Sequence, residues 1–315
     1  MDRAAPGGSS STGRSVAAGA FGMTLVGGSV AVSHTLVDAP LFTAQAIRYA
    51  AASVLLLVFA RAARVGLCWP RGREWAYLTG IAATGLVLFN LAVVRGVAHA
   101  EPAVIAVAVA CVPILIGVVG PLLDGQRPRR STVLAAVVVT VGGVLVEGAG
   151  RTDAAGIGWA VVTLLCEASF TLLAVPVLRR HGAWGVSVHA VWLATAMFAL
   201  LALLTEGPSA ALRLDTTDWA AVGYLAVLVT AVAFVAWYSC VSALGAARAG
   251  LLTGIAPIAA AVTGMVALGV HPGLLVWLGI AVVAGGLVAG LRPDREMVTA
   301  AVPERVAPPA AVTAL

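Results

Sequence analysis

Apolar residues run along this chain in long stretches, broken by short gaps rich in glycine, proline or charge. Half-buried strands would alternate with period two, and soluble helices would carry a polar face. Neither pattern holds. The stretches predict helices over 16–33, 41–60, 75–95, 101–122, 131–148, 157–178, 186–204, 218–239, 247–268 and 274–291. Each approaches the ~20 residues that cross a hydrocarbon core of about 30 Å. A lipid-exposed strand would leave its backbone unpaired, so helices are the solution at these lengths. The fold predicted is all-α integral membrane, with ten transmembrane helices. Residues 1–15 are rich in Gly, Ser and Ala, and residues 293–315 hold Pro303, Pro308 and Pro309. Both read as disordered tails. The first stretch lacks a small-x-small exit and more spans follow, so it reads as a retained helix rather than a signal peptide.

Composition sharpens the class. Of 315 residues, 61% are apolar and only 10% charged. A soluble domain carries roughly a quarter charged residues, so a soluble enzyme and a disordered chain are excluded. Cys68, Cys111, Cys166 and Cys240 have no CxxC or zinc spacing and read as small core residues.

The net charge of +5 invites a nucleic-acid reading, which its distribution contradicts. With a cytoplasmic N-terminus, ten spans place Arg3, Arg14, Arg61, Arg64, Arg71, Arg73, Arg127, Arg129, Arg130, Arg179, Arg180, Arg248, Arg292, Arg295 and Arg305 inside. Outside loops hold Arg95, Arg151 and Arg213, and Arg48 lies within a span. That is 15 inside, 3 outside and 1 within, together the 19 basic residues. The split follows the positive-inside rule and puts both termini in the cytoplasm. All the basic residues are arginine, which points to a GC-rich bacterial genome and hence a plasma membrane. Lipid is the expected surrounding, and no nucleic-acid partner is expected.

The halves repeat at an offset of 144. Glu74-Trp75 matches Asp218-Trp219, Pro113 matches Pro257, Gly120 matches Gly264, Gly125 matches Gly269, Pro128 matches Pro272 and Gly142 matches Gly286. The repeats are expected over 16–148 and 157–292. Five spans per half is odd, so the halves should be inverted. The arginines after Gly125 are missing from the turn after Gly269, as opposite orientations require. Inverted repeats are a device of secondary transporters, whose halves meet around a midplane site.

These residues resemble a family. Gly27-Gly28-Ser29-Val30, Pro40, Ile47-Arg48-Tyr49, Ala92-Val93-Val94, Val112-Pro113-Ile114 and the Gly125-to-Pro128 turn are one ordered set. Tyr224-Leu225, Thr230-Ala231-Val232, Trp237, Ala256-Pro257-Ile258, Leu268-Gly269 and Gly285-Gly286 are the other. Over residues 16 to 292 the chain resembles the ten-helix EamA-type transporters of the drug/metabolite transporter superfamily. The family typically has glutamate after each turn glycine; Gln126 and Val270 stand there instead. The resemblance implies transport of amino acids, metabolites or small drugs without naming a substrate.

Glu167 is the expected proton-carrying acid. Counted from Ile157 it lies about 15 Å deep. A carboxylate is costly there, and intramembrane ionisable residues mark transport pathways. Thr163 and Thr171, four residues either side, share its face. A structural role, bonded to a backbone carbonyl, is the competing reading. Arg48 is the basic residue well inside a span, with Gln45 one turn before it. It could meet an anionic substrate group, pair with Glu167 or act as a structural clamp. Asn90, Thr230, Phe234, Trp237, His189 and Trp192 are further cavity candidates, each equally at home in packing. Trp75 and Trp219 read as an interfacial belt. Gly286 and Gly290 form a GxxxG in span 10 that serves either packing within the chain or a homodimer.

No Walker motif, HExxH, metal-ligand cluster or nucleophile elbow occurs, so no cofactor or metal is expected and the chain does not read as an enzyme. The function expected is a secondary active transporter exporting a small organic solute by alternating access, with proton coupling. An uncoupled facilitator is the alternative, followed by a membrane-embedded enzyme or scaffold.

Overall fold

The computed structural model describes residues 8–36, 38–123, 125–269 and 271–292. The tail residues 1–7 and 293–315, with Arg3, Arg295 and Arg305, and Val270 of the second turn lie outside the described residues. The described chain is helical, with an isolated bridge between Ala100 and Thr152. We label the helices α1 (Gly8–Gly28), α2 (Leu41–Ala62), α3 (Arg73–Val97), α4 (Pro102–Leu123), α5 (Arg130–Glu147), α6 (Ala154–Leu172), α7 (Val175–Thr205), α8 (Thr216–Leu244), α9 (Ala246–Leu251, a 3-10 turn at Leu252–Gly254, then Ile255–Leu268) and α10 (Leu274–Gly290). Among the described residues eight of these, α2 to α9, are long and apolar enough to cross a membrane, and α10 is a shorter apolar helix.

Two expectations are corrected. The tail expected over 1–15 is helical from Gly8. This end of the chain runs into a helix that packs tightly on α8 and α9: a Cβ on Gly19 would stand 2.5 Å from Cys240 Sγ, and one on Gly27 2.1 Å from the Ala256 carbonyl. The helix expected over 157–178 stops at Leu172, and α7 starts at Val175 with Pro176 in its first turn. Proline fits a first turn because its missing N–H has no partner there. Gly182, with φ 62° and ψ 178°, then breaks α7 near its start. Side-chain caps start two of the other helices. Asp153 accepts from Gly156 N at 2.7 Å to start α6, and Asp215 with Asp218 forms a capping box at α8.

Within α3 and α8 the hydrogen bonding shifts to the π pattern over Ile81–Leu88 and Leu225–Val232. Phe89 N–H reaches back to Thr84 O, and Ala233 N–H to Leu228 O. The helix pairs follow a matching scheme: α1 packs on α8 and α9, while α6 packs on α3 and α4; α2 lies along α7, and α5 along α10. At α5–α10 the contact is between backbones. A Cβ on Gly142 would lie 2.7 Å from Val283 N, and one on Gly286 would lie 2.8 Å from a Val139 methyl. One on Gly290 would lie 2.4 Å from Leu251. The GxxxG face of α10 is therefore taken up inside the chain.

Both ends of the bundle are tied by polar contacts. At one end the Glu206 carboxylate, just past α7, accepts from Phe42 N (2.9 Å), Thr43 N (2.8 Å) and Thr43 Oγ1 (2.6 Å). It thus satisfies the open amides of the α2 N-terminus and meets the positive end of its dipole. Replacing Glu206 by Ala should cost about 1–2 kcal/mol, read as a lower melting temperature in detergent; an unchanged one would show the tie to be idle. At the opposite end Glu74 accepts from Arg71 N (2.7 Å), from Arg180 Nη1 and, with the proton on Nε2, from His181 (3.2 Å).

On the Glu206 side, the segments before α4 and α6 cross. Glu101 N donates to Arg151 O, Arg151 Nε to Glu101 Oε1 (2.8 Å), and His99 Nδ1 lies 3.1 Å from Asp153. The Gly156 amide, then the His99 ring, hold the Asp153 carboxyl below the usual carboxylate range. A lowered folded pKa adds stability above the unfolded value, which is lost as pH falls through the folded one. Asp153→Ala should therefore melt lower than the parent at neutral pH, with the gap closing under acid. A gap independent of pH would remove the carboxylate from the account.

Candidate functional site

The centre of the bundle holds a buried polar cluster built from three helices. Arg48 on α2 donates through Nε to Thr230 Oγ1 on α8 at 2.9 Å and through Nη1 to Gln45 Oε1 at 3.3 Å. Its guanidinium carbon sits 5.1 Å from the Tyr49 ring centroid. Gln45 Nε2 donates to Asn90 Oδ1 on α3 at 3.1 Å, which turns the Gln45 oxygen towards Arg48. Asn90 Nδ2 donates to Leu86 O at 2.7 Å, inside the π segment. Arg48 and Gln45 are about nine-tenths buried, and Thr230 wholly so. Four residues singled out in the sequence, Gln45, Arg48, Asn90 and Thr230, thus meet in one place.

A second group gathers where α6 meets α8. Trp237 Nε1 donates to Thr171 Oγ1 at 3.0 Å, and Tyr238 Oη to Phe170 O at 3.0 Å. The Phe170 ring lies 4.8 Å from Phe234 and 5.0 Å from Tyr238. Gly85 of α3 lets Phe170 come close, since a Cβ there would stand 2.9 Å from the Phe170 Cβ. Glu167, one turn before Thr171, is half-buried. Its carboxylate makes no hydrogen bond or ion pair among the described residues.

Three expectations are corrected. Arg48 and Glu167 form no ion pair; Arg48 turns to Thr230 and Gln45 instead. Thr163 does not present its hydroxyl to a cavity but returns it to Trp159 O at 2.9 Å on its own helix. His189 stands apart from the cluster. Phe198 stacks on Tyr49 at 5.3 Å, and His189 lies nine residues earlier on α7, ~13 Å along the axis. There it contacts Cys68 O at 2.9 Å and accepts from Trp192 Nε1 at 3.2 Å, beside a cavity of about 440 Å³ that Trp69 also lines. A neutral imidazole protonated on Nε2 satisfies both contacts, and the one to Cys68 O joins α7 to the segment before α3. Trp75 packs edge-on to Trp69 and Trp192 in the same corner.

Phe170 and Tyr238 were missed by sequence reasoning, and Tyr49 was noted only as part of a motif. An aromatic residue in an apolar helix looks like any other core residue, and only the packing shows which ones border the buried charges.

Comparison with known proteins assigns this architecture. The model of the EamA-like transporter family matches residues 15–147 and again 154–290. The chain belongs to the EamA-like transporter family. An uncharacterized transporter of Bacillus subtilis (strain 168), YetK, is 28% identical over 277 residues, covering 85% of this chain and 84% of that protein. A probable terminal-alkyne amino-acid exporter of Streptantibioticus cattleyicolor is 24% identical over 243 residues, covering 76% of this chain and 80% of the relative. One solved crystal structure superposes with a TM-score of 0.72 at 22% identity, over 90% of this chain and 97% of the other, and bears on the fold alone. As an EamA-like transporter of the drug/metabolite superfamily, this is a multi-pass membrane protein that moves small solutes, and not an enzyme.

Proposed function

We propose that the protein is a secondary active transporter that exports a small organic solute across a bacterial plasma membrane by alternating access, with Glu167 carrying the coupling proton. The observation that carries this reading is the pair of ionisable side chains, Arg48 and Glu167, deep in helices and free of any ion-pair partner among the described residues. Such groups are expensive in a membrane interior and mark ion and substrate pathways. A carboxylate without a fixed partner can take up a proton on one side and release it on the other.

Alternating access needs two halves. Residues 16–148 and 157–292 serve as five-helix inverted repeats, giving ten spans with both termini cytoplasmic. The two family matches support this, as do the π segments and their Phe89 and Ala233 bonds, each pair displaced by 144 residues. So does the reciprocal packing of α1 on α8 and α9, and α6 on α3 and α4. The arginine distribution favours this orientation. Gln45, Asn90, Thr230, Thr171 and Trp237 line the path in this reading, while Thr163 and His189 support it from outside. The exporter name of one relative favours outward movement of an amino-acid-like solute.

Purified protein in liposomes, with a pH gradient imposed and amino acids and small drugs screened, tests the reading. Solute accumulation that collapses when the gradient is dissipated is the expected result. Movement indifferent to the gradient would assign an uncoupled facilitator instead.

A further inference from the structure

Among the described residues no carboxylate balances the charge on Arg48. Its contacts are a hydroxyl, an amide oxygen and an aromatic face, all neutral. Arginine stays protonated in proteins, so unlike Glu167 it cannot shed its charge. A buried charge without a counter-ion is among the costlier features a fold can hold.

The surroundings hold the guanidinium in place without neutralising it. Thr230 takes Nε, and Gln45, itself held by Asn90, takes one hydrogen of Nη1. The stacked Tyr49 and Phe198 rings wall the side nearest α7. Among the described residues two of the five N–H groups are used, and Nη2 makes no hydrogen bond. The free hydrogens on Nη1 and Nη2 form a fork, the geometry that takes a carboxylate with two parallel bonds.

We propose that Arg48 is the subsite for the carboxylate of the transported solute, so that the substrate class is a small carboxylic acid, amino acids included, gripped between α2, α3 and α8. The proposal rests on the reading of this chain as a solute transporter and adds the functional group that the solute must carry. The solute anion then supplies the counter-charge that the fold omits. An empty site keeps an unbalanced cation and a loaded one does not.

The test uses the full chain purified in detergent and a panel of amino acids, propargylglycine and small monocarboxylates, each beside its carboxamide. Thermal stabilisation reads binding. The free acids that bind should have amides that do not. Arg48→Lys, which keeps the charge but loses the fork, should weaken acid binding about tenfold. Arg48→Gln should abolish it, with the unliganded melting temperature of each variant checking that it folds. Equal binding of acid and amide, a silent panel on the parent protein, or undiminished acid binding by Arg48→Gln would each overturn the subsite. Liposome flux separates this from the parent reading. Amides transported by the parent and by Arg48→Gln alike would remove the subsite and keep the transporter. Acids bound but never moved would remove the transporter and keep the subsite.

Discussion

Glu167→Gln abolishes proton-driven accumulation of solute in liposomes and leaves solute-for-solute exchange running. The glutamine amide has nearly the shape of a protonated carboxyl, so the packing around Phe170 and Tyr238 should survive. What it lacks is a proton to release. If each transport cycle returns through a step in which Glu167 takes up or gives off a proton, the variant can still cross while loaded. It cannot use a pH gradient to run the cycle in one direction. Accumulation should therefore fall to that of protein-free vesicles, while counterflow of labelled solute continues at a rate near the parent's. A variant that still concentrates solute in step with the pH gradient would move the coupling elsewhere. A variant dead in both assays would make Glu167 part of the solute site. Among the described residues no ion pair or hydrogen bond of Glu167 is broken by the change, so a fold defect is not expected.

Two neighbouring glycines in α10 should respond oppositely to the same substitution. Gly286→Ala puts a methyl 2.8 Å from Val139 Cγ2 and 3.1 Å from Val139 N, where α5 and α10 touch through their backbones. The helices must part, and overpacking of this kind costs about 1–3 kcal/mol. Gly285→Ala meets nothing within 4 Å. There the gain in helix propensity dominates, about 0.5–1 kcal/mol in favour of alanine. Thermal unfolding in one detergent should show Gly286→Ala below the parent and Gly285→Ala at or above it. Equal losses at both positions would mean that glycine is needed in α10 for some reason other than close approach.

Much of the architecture was legible because lipid leaves the chain few options. Long apolar runs must be helical, and their spacing by short gaps was plain. The places that misled were local. Pro176 ends no helix by itself, and only the structure shows that it opens one. Gly8 to Ser15 is tail-like in composition, yet it continues into a helix whose close contacts to α8 and α9 are made by residues far along the sequence.

For the site, Arg48 and Glu167 stood out because charge is rare in this background. Gln45, Asn90 and Thr230 could be named as polar, but not as partners. Thr230 reaches Arg48 across 182 residues, and Glu206 reaches Thr43 across 163. Neither link leaves a local pattern to read. The pairing of Arg48 with Glu167, one of the options for Arg48, rested on opposite charge within the spans. Charge alone fixes neither azimuth nor neighbour, and Arg48 bonds the hydroxyl of Thr230 and the amide of Gln45 instead.

The π segments of α3 and α8 bear on how such a site can change. A turn that spans five residues instead of four carries one residue more than its neighbours, and each residue turns a helix by about 100°. The direction of Asn90 is thus set by the count of residues before it as much as by its own identity. The same holds for Phe234, two residues past the segment in α8. Gain or loss of one residue in either segment would swing a different set of side chains inward while leaving the rest of the bundle as it is. In a chain of such uniform apolar composition, shifts of register offer a route to new interior surfaces that point substitutions alone would reach slowly.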